Sequence, residues 1–278
     1  MSSLASIENT IQKVSVIIPT INRVDSLCIA IKSVLLQTYP VHEILICDDG
    51  SSDGTKEIVC AFNDDKIKWI DCGKNGRPAI PRNIGISKST GDWFAFLDDD
   101  DEWLPNKIFE QLIIAQSHNA RALCTNAKIR RNGIIQNKEY STLQKNIISF
   151  NDLIYSNYIM CSSALIHRSL LTEVIGFPED ENLKALEDYT LWIRVATQCD
   201  FYFLNSPLVI YNDAPAQSIR GKKNDTFLQR KLIFENLMQW SEKMKIKEEY
   251  VSIFKLEINK ANYFINEFFL KKIIRKII

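Results

Sequence analysis

The chain has 278 residues, of which 46% are hydrophobic, enough for one large core or for two closely packed lobes. Its 34 Lys and Arg balance 34 Asp and Glu, so the overall charge gives no reason to expect a nucleic acid as partner. The seven cysteines are widely spaced and form no CxxC pair. This favours free thiols in a reducing compartment over a disulfide or metal framework.

The sequence shows neither a secretory signal nor a membrane span. Residues 1–10 contain no basic segment followed by an apolar one, and no stretch reaches the roughly 18 apolar residues that a membrane span requires. We therefore expect a cytoplasmic protein.

Apolar runs of strand length alternate with helix-period segments through the first hundred residues. The spacing predicts strands at 14–18, 43–47, 67–71 and 93–97, and helices at 23–37, 55–62 and 79–87. Continuously apolar strands separated by helices are typical of a mostly parallel sheet that is covered on both faces. The expected fold class is α/β, with a Rossmann-like, mostly parallel central sheet flanked by helices.

The second half of the chain predicts a mixture of helices and strands. We expect helices at 105–118 and 187–197, strands at 121–125 and 162–167, a β pair formed by 201–204 and 208–211, a mobile loop at 214–225, and helix from 227 onwards.

Acidic side chains follow two of the predicted strands. Asp48 and Asp49 end the second strand, the run 98–102 follows the fourth, and the polar turn 19–23 ends the first. In a parallel sheet these carboxyl ends converge on one edge, where ligands bind. Crowded carboxylates need a compensating cation or proton, and Mg²⁺ or Mn²⁺ binds oxygen ligands together with substrate phosphates. The plainer interpretation of each run is a solvated acidic turn or a helix cap.

Glu187 and Asp188 stand at the start of the predicted helix 187–197. The helix macrodipole favours a negative charge at this end, so either carboxylate can stabilise the helix. A carboxylate in this position can also serve as a catalytic base. The residues alone leave both roles open.

Five segments, in order, resemble the motifs of the family 2 glycosyltransferases, which have the GT-A fold. They read VSVIIPTINR at 14–23, DDGSSDGT at 48–55, RNIG at 82–85, FLDDDDEWLP at 96–105 and EDYTLW at 187–192. The sequence departs from the family at Ile21, where many relatives carry Tyr, at Pro81, where Ala is usual, and at Ala214, where many carry His.

The resemblance implies an inverting, metal-dependent enzyme that takes a sugar from a nucleotide-sugar, with UDP-sugars favoured. It implies that Asp49 contacts the donor base, that Asp98 lies near the ribose and the metal, and that Asp100 binds Mn²⁺ or Mg²⁺. It also implies that Asp188 is the base that deprotonates the acceptor hydroxyl. The other implied donor contacts are Pro19, Thr20, Asn22, Arg23, Arg82 and Asp99, and the acceptor side would include Glu187, His167 and Trp192.

On this basis we expect residues 1–103 to bind the nucleotide-sugar, residues 104–225 to bind the acceptor, and residues 226–278 to form a C-terminal helical extension. The expected reaction adds a hexose or N-acetylhexosamine to a glycan or lipid-linked oligosaccharide of a bacterial capsule or lipopolysaccharide. Two alternatives stay open: an inactive nucleotide-sugar-binding subunit of an assembly complex, and a nucleotidyltransferase. The turn after the first strand lacks the Gly-rich phosphate loop that is typical of a nucleotidyltransferase.

The C-terminal region combines basic and apolar residues. Residues 226–278 carry 11 Lys and Arg against 6 Glu, a surplus of five positive charges, interleaved with aromatic and aliphatic side chains. This pattern suits a helix lying on the anionic cytoplasmic face of the inner membrane. It equally suits a helix packed on the domain itself, or on a second copy in a homodimer.

Overall fold

The fold is given by a computed structural model that describes residues 12–213 and 226–277, with side chains through residue 267. The strands are β1 (Val14–Thr20), β2 (Glu43–Asp48), β3 (Ile67–Asp71), β4 (Trp93–Phe96), β5 (Glu102–Trp103), β6 (Ala122–Arg131), β7 (Ile134–Glu139), β8 (Ile147–Ile148), β9 (Leu165–His167) and β10 (Phe201–Asn212). The helices are α1 (Val24–Leu35), α2 (Thr55–Cys60), α3 (Ala79–Lys88), α4 (Lys107–His118), α5 (Phe150–Tyr155), α6 (Arg168–Val174), α7 (Glu187–Ala196), α8 (Thr226–Lys243) and α9 (Glu248–Ile277). The loop predicted at 214–225, with Ala214, lies outside the described residues.

The described strands form one sheet in the order β3-β2-β1-β4-β9-β6-β10-β5, with β7 paired to β6 and β8 paired to β10. The first four strands run parallel to one another. Strand β9 is antiparallel to both β4 and β6, and β6 pairs parallel with β10. The strands predicted in the first half therefore lie side by side, and the α/β class is confirmed.

Buried side chains cover both faces of the sheet. Along β1, Ile17 belongs to a cluster that includes side chains of α3, α6, α7 and α8, whereas Val16 and Ile18 belong to a second cluster with α1, α2 and α4. Successive residues of a strand point to opposite faces, so a strand covered on both sides is apolar throughout. This explains why the strands read as continuous apolar runs.

The predicted β pair at 201–204 and 208–211 is wrong, because these residues form the single strand β10. Both parts pair in parallel with β6, and the register shifts between Leu204 and Pro207 and again between Pro207 and Val209. Proline has no N–H to donate to the strand ladder and is tolerated at such an irregularity. Residues 205–207 therefore form a bulge and not a turn.

The strand predicted at 162–167 is shorter than expected. Residues Cys161–Ser163 form a 3₁₀ turn, and only Leu165–His167 pair as β9. The Ser162 hydroxyl accepts a hydrogen bond from the N–H of Asp98 at 3.1 Å and donates to Asp101 at 2.5 Å. These bonds hold Ser162 against the end of β4 and out of the strand.

The hairpin formed by β6 and β7 was missed in the sequence. Strand β6 continues to Arg131, well beyond the predicted end at 125, and its turn is Asn132-Gly133 with φ angles of 50° and 77°. Asn-Gly is the strongest short-range sequence signal of such a turn, because both residues tolerate positive φ. This signal was available and could have predicted the hairpin.

The C-terminal region is helical, as predicted, and its described residues form the two helices α8 and α9. Helix α8 buries Ile233, Phe234, Leu237 and Trp240 against the domain, and the Trp240 indole donates to the Val174 carbonyl at 3.1 Å. This part of the region therefore packs on its own domain, one of the alternatives left open. Among the described residues, no helix has both the length and the apolar character needed to cross a membrane.

Candidate active site

The carboxyl ends of the neighbouring strands β2, β1 and β4 open into one cleft of about 440 Å³. Its walls include Pro19, Asp49, Asp98, Asp100 and Asp188, which come from widely separated parts of the sequence. The structure thus brings together most of the residues that the sequence predicted at a site. The strand order explains this convergence, because parallel strands that lie side by side end at the same edge.

Asp49 joins the end of β2 to the loop after β3. Its Oδ1 accepts hydrogen bonds from the backbone N–H of Asn75 at 2.7 Å and from Nδ2 of the same residue at 3.0 Å. Its Oδ2 accepts from the N–H of Gly76 at 2.7 Å. Asp49 is buried but still lines the cleft, so its carboxylate shapes this wall.

Asn22 connects the ends of β1 and β2 without being a cleft-lining residue itself. Its N–H donates to the Ser51 hydroxyl at 2.9 Å, and its Oδ1 accepts from the N–H of Ser52 at 2.8 Å. Its φ of 49° lies in the left-handed region, which Asn tolerates better than most residues. Asn22 therefore links the two loops that follow β1 and β2.

Arg23 and Thr20 are the partners of the acidic run that follows β4. The Arg23 Nη1 donates to Oδ1 of Asp99 at 3.0 Å and to Oδ2 of Asp100 at 2.7 Å. The Thr20 hydroxyl donates to Oδ2 of Asp99 at 2.8 Å. The turn after β1 and the acidic run after β4 are therefore held together by charge-assisted hydrogen bonds.

Asp101 differs from the other members of the run because it is structural. It is 1% exposed, and it accepts hydrogen bonds from the Ser162 hydroxyl at 2.5 Å and from the N–H of Asn212 at 2.9 Å. These contacts join the ends of β4 and β10. Asp101 is not among the cleft-lining residues.

The acidic run carries more negative charge than its surroundings compensate. Burial and the charge of Asp100 raise the pKa of Asp99 to about 7, although Arg23 and the Thr20 hydroxyl act to lower it. Burial also raises the pKa of Asp100, and the neighbouring Asp98 adds to this rise. Carboxylates that repel one another at partial burial favour a bound cation.

Arg82 joins the sheet side of the cleft to helix α7. Its Nη2 donates to Oδ1 of Asp98 at 2.6 Å, and its Nη1 donates to Oε1 of Glu187 at 3.2 Å. The guanidinium lies 5.3 Å from the centre of the Phe177 ring and is nearly inaccessible to solvent. The predicted donor contact is therefore already engaged by two carboxylates.

Asp188 lines the cleft from the first turn of α7, on a different element from Asp98 and Asp100. Its Oδ1 accepts a hydrogen bond from the N–H of Tyr189 at 2.6 Å. The helix is preceded by Ala185 with a φ of 64°, a conformation that is unusual for a residue with a side chain. The geometry thus presents Asp188 from the helix to the same space that the acidic run faces from the sheet.

Two predicted acceptor-side residues do not reach the cleft. His167 pairs with Trp93, the first residue of β4, and the two rings pack edge to face with centres 5.0 Å apart. His167 therefore lies at the amino end of β4, whereas the cleft lies at the carboxyl end of that strand. Trp192 is fully buried between Phe96, Phe177 and Phe201, which makes it part of the core. The third, Glu187, does line the cleft.

Several cleft-lining residues were missed in the sequence. Arg77, Lys184, Tyr211 and Asp213 all face this space. Tyr211 and Asp213 lie at the carboxyl end of β10, which is the same kind of position that drew attention to the other strand ends. Arg77 and Lys184 lie in loops whose course has no signal in the sequence.

Known proteins resemble this chain in sequence over about two thirds of its length. The profile of the family "Glycosyl transferase family 2" matches residues 15–175, more than half of the chain. The chain is 35% identical over 182 residues to UDP-Glc:alpha-D-GlcNAc-diphosphoundecaprenol beta-1,3-glucosyltransferase WfgD of Escherichia coli, a match that covers 66% of this chain and 69% of WfgD. It is 38% identical over 188 residues to the uncharacterized glycosyltransferase RC0461 of Rickettsia conorii, covering 67% of this chain and 30% of that protein.

The structural comparison agrees on the fold. The crystal structure of S. aureus TarS 1-349 in complex with UDP-GlcNAc matches with a TM-score of 0.71 at 18% identity, over 90% of this chain and 72% of that one. A sheet of this order with a cleft at its carboxyl edge defines an α/β protein of the GT-A type. The chain belongs to glycosyl transferase family 2.

Proposed function

We propose that this protein is an inverting glycosyltransferase that moves a sugar from a UDP-sugar to a hydroxyl of a lipid-linked glycan in bacterial polysaccharide synthesis. The observation that carries the proposal is the shared cleft, in which Asp188 on helix α7 faces the acidic run after β4. Transfer needs a group that removes the acceptor proton and a separate site that holds the leaving diphosphate. The two sets of carboxylates supply both.

The donor would lie along the ends of β1, β2 and β4. Pro19, Thr20 and Asp49 form one wall of the cleft there, and Arg23 contributes a positive charge next to them. Support for a UDP-sugar, and for an acceptor linked through a diphosphate to a lipid, comes from the name of the E. coli relative WfgD. We assign donor binding to residues 1–103, acceptor binding to residues 104–225, and a helical extension to 226–278.

We propose that a divalent cation, Mn²⁺ or Mg²⁺, acts with the donor diphosphate. Within the described residues no three His, Cys, Asp or Glu are grouped as a ready metal site. Two carboxylates of the acidic run fit such a cation nevertheless, because Mg²⁺ commonly binds one or two carboxylates plus substrate phosphates and water. Asp100 and Asp98 would hold it, and when bound it would neutralise charge on the departing diphosphate.

The chain's own residues define the transfer step. Asp188 accepts the proton of the acceptor hydroxyl as the oxygen attacks the anomeric carbon from the face opposite the leaving group. The new C–O bond forms while the bond to the diphosphate oxygen breaks, and the nucleoside diphosphate leaves with both bonding electrons. One such displacement inverts the anomeric centre. The 440 Å³ cleft confines both reactants, which raises their effective concentration.

We also propose that the enzyme acts at the cytoplasmic face of the inner membrane. The seven cysteines are widely spaced and form no CxxC pair, which favours free thiols in a reducing compartment. On helix α9 the aromatic side chains Tyr263 and Phe264 are exposed, within a region of surplus positive charge. Such residues suit contact with anionic lipid. Co-sedimentation with anionic but not neutral vesicles at low salt is expected, and no sedimentation with either would remove this part of the proposal.

A thermal-shift screen tests the proposed donor site. UDP-, GDP-, dTDP- and CMP-sugars are each compared with Mn²⁺ and with EDTA. A ligand that binds the folded state alone stabilises it by about 2.7 kcal/mol at a hundredfold excess over its Kd. We expect a shift with UDP-sugars that is lost in EDTA. Binding without any turnover would support the inactive-subunit alternative, and no shift with any nucleotide would contradict the proposal.

A further inference from the structure

The Arg82 side chain connects two parts of the site that the chain supplies separately. Asp98 belongs to the acidic run on the sheet, and Glu187 is the neighbour of Asp188 on helix α7. The bonds from Arg82 to these carboxylates are 2.6 Å and 3.2 Å long. A single guanidinium thus bridges the proposed donor side and the first turn of α7, which also carries the proposed base Asp188.

The bridge is nearly closed to solvent on the α7 side. The side chains of Arg82 and Glu187 are 5% and 6% exposed, and Arg82 is the one ion-pair partner recorded for Glu187 within the described part of the chain. Removing one partner of a buried ion pair leaves an uncompensated charge, which the surrounding structure must relieve by moving or by neutralising it. The position of Glu187 therefore depends directly on Arg82.

Helix α3, which carries Arg82, contacts both the central sheet and the segment that precedes α7. A Cβ at Gly85 would lie 2.7 Å from Cys47 Sγ and 2.8 Å from Ile17 Cγ2, so the helix packs directly on the sheet. The next residue after Arg82, Asn83, exchanges hydrogen bonds of 2.9 Å with the N–H and the carbonyl of Phe177. Helix α3 therefore packs on the sheet and is hydrogen-bonded to the segment that leads towards α7, and these contacts fix the backbone that carries Arg82.

We infer that Arg82 is a positioning residue that transmits occupancy of the donor site, through Asp98 and Glu187, to the helix carrying Asp188. This inference rests on the proposed function and gives Arg82 a role other than the direct donor contact that the family resemblance implies. An arginine presents a planar fork of donors that can hold two carboxylates at once, whereas a lysine offers one point charge. Arg82→Lys should keep the charge and break the bridge.

Hydrogen–deuterium exchange measures this coupling without requiring turnover. In the wild type, UDP with Mn²⁺ should slow exchange at 186–190 as well as at 98–101, by at least about fivefold, the lower end of typical coupling between sites. In Arg82→Lys the protection at 98–101 should persist, while exchange at 186–190 should be insensitive to UDP. Equal protection of both segments in the variant would overturn the inference.

Kinetics provide the second measurement. Arg82→Lys should lower kcat by about a hundredfold, the effect of a misplaced catalytic group, while the UDP Kd stays within about threefold. Glu187→Gln, which preserves shape, should act in the same direction. The double variant should be no worse than Arg82→Lys alone, because both changes break one bridge. Loss of UDP affinity with kcat unchanged at saturating donor would show a direct donor contact and refute the positioning role.

Arg168→Lys is the matched control. Arg168 also lies over an aromatic ring, 4.6 Å from the centre of Phe94, but it bonds to the Gly91 carbonyl near the amino end of β4. The kcat of Arg168→Lys and its exchange response to UDP should equal those of the wild type.

Two outcomes separate the inference from the proposed function. A wild type that does not bind UDP would refute both together. UDP protection at 186–190 that is normal in the wild type and unchanged in Arg82→Lys would refute the coupling alone. If Arg82→Lys does not fold, Glu187→Gln provides the test. The slowing of exchange at 186–190 by UDP must be smaller in Glu187→Gln than in the wild type, and an unchanged slowing would refute the inference.

Discussion

Asp49 accepts two hydrogen bonds from Asn75, one from the backbone N–H at 2.7 Å and one from the side-chain amide at 3.0 Å. A third bond to Asp49, from Gly76, brings the loop after β3 over the end of β2. Every one of these partners is a donor, so the site requires a carboxylate with two acceptor oxygens. The wall of the cleft at this point depends on that charge.

Asp49→Asn should therefore weaken UDP binding. The amide replaces one acceptor oxygen by a donor that faces another donor, and hydrogen bonds to charged groups contribute about 1.5–3 kcal/mol. We expect the UDP Kd to rise about 10- to 100-fold, measured by titration calorimetry. Asp71→Asn is the control, because Asp71 is the exposed last residue of β3 and its carboxylate accepts a hydrogen bond from the N–H of Gly73 at 3.0 Å. Equal Kd values for the Asp49 variant and the wild type would contradict this account.

Arg23→Met should strengthen the binding of Mn²⁺ in the absence of nucleotide. Arg23 is hydrogen-bonded to Asp99 and Asp100, so a cation that binds Asp100 competes with the guanidinium. The pair is partly exposed, so we expect a modest gain of about tenfold in affinity, or about 1.4 kcal/mol. Mn²⁺ titration followed by electron paramagnetic resonance measures this change.

The control for the Mn²⁺ experiment is Arg121→Met. Arg121 pairs with Glu173 at 2.8 Å, outside the cleft, and its removal should leave Mn²⁺ affinity unchanged. Weaker Mn²⁺ binding in Arg23→Met would contradict competition at Asp100 and indicate that the arginine helps to organise the metal site.

Glu43 should make folding stability depend on pH in the acid range. Burial raises the pKa of Glu43, but hydrogen bonds from Lys68, Ser15 and Thr90 lower it from 4.5 to about 2. A lowered folded-state pKa contributes stability above pH 4.5, which is lost as the pH falls towards 2. We expect Glu43→Gln to cost about 2–3 kcal/mol at pH 7 and less at pH 3. Urea unfolding at the two pH values measures this, with the exposed Glu242→Gln as control. If Glu43→Gln lost the same free energy of unfolding at both pH values, this would contradict a lowered pKa of Glu43 in the folded protein.

Gly85→Ala should destabilise the protein although alanine favours helices. The added methyl group would lie within 3 Å of Cys47 and Ile17, so α3 must move away from the sheet. Overpacking typically costs about 1–3 kcal/mol. Alanine gains at most about 1 kcal/mol over glycine in helix propensity, so we expect a net loss of stability. Ser87→Ala on the exposed side of the same helix should change stability by less than about 0.5 kcal/mol. Chemical denaturation of both variants tests this, and a Gly85→Ala variant at least as stable as the wild type would contradict it.

The sheet side of the site could be predicted from the sequence because each of its parts is local. A buried strand that ends in Asp48-Asp49 or in Asp98 to Asp101 shows its carboxyl end in the residue order itself. The parallel arrangement then brings these ends to one edge. Arg23 and Thr20 follow from the same reasoning, because they lie in the turn after β1.

The rest depends on contacts that the residue order does not contain. Arg82 and Glu187 are 105 positions apart, and their ion pair exists because α3 and α7 meet beside the cleft. His167 was expected near the acceptor, but β9 runs antiparallel to β4, and this direction carries the histidine to the far edge. Trp192 resembles a site residue by its motif, yet it sits on the buried side of α7.

The most direct test of the central claim is a transfer assay with the proposed UDP-sugar and lipid-linked acceptor, run on the wild type and on Asp188→Asn. We predict that the wild type forms glycosylated product and UDP in equal amounts. The variant should bind UDP with about the wild-type Kd while its transfer rate falls at least about a hundredfold, because the amide cannot take the acceptor proton. Full transfer activity in Asp188→Asn would show that another group is the base, and no product from the wild type with any UDP-sugar would contradict the account of the cleft.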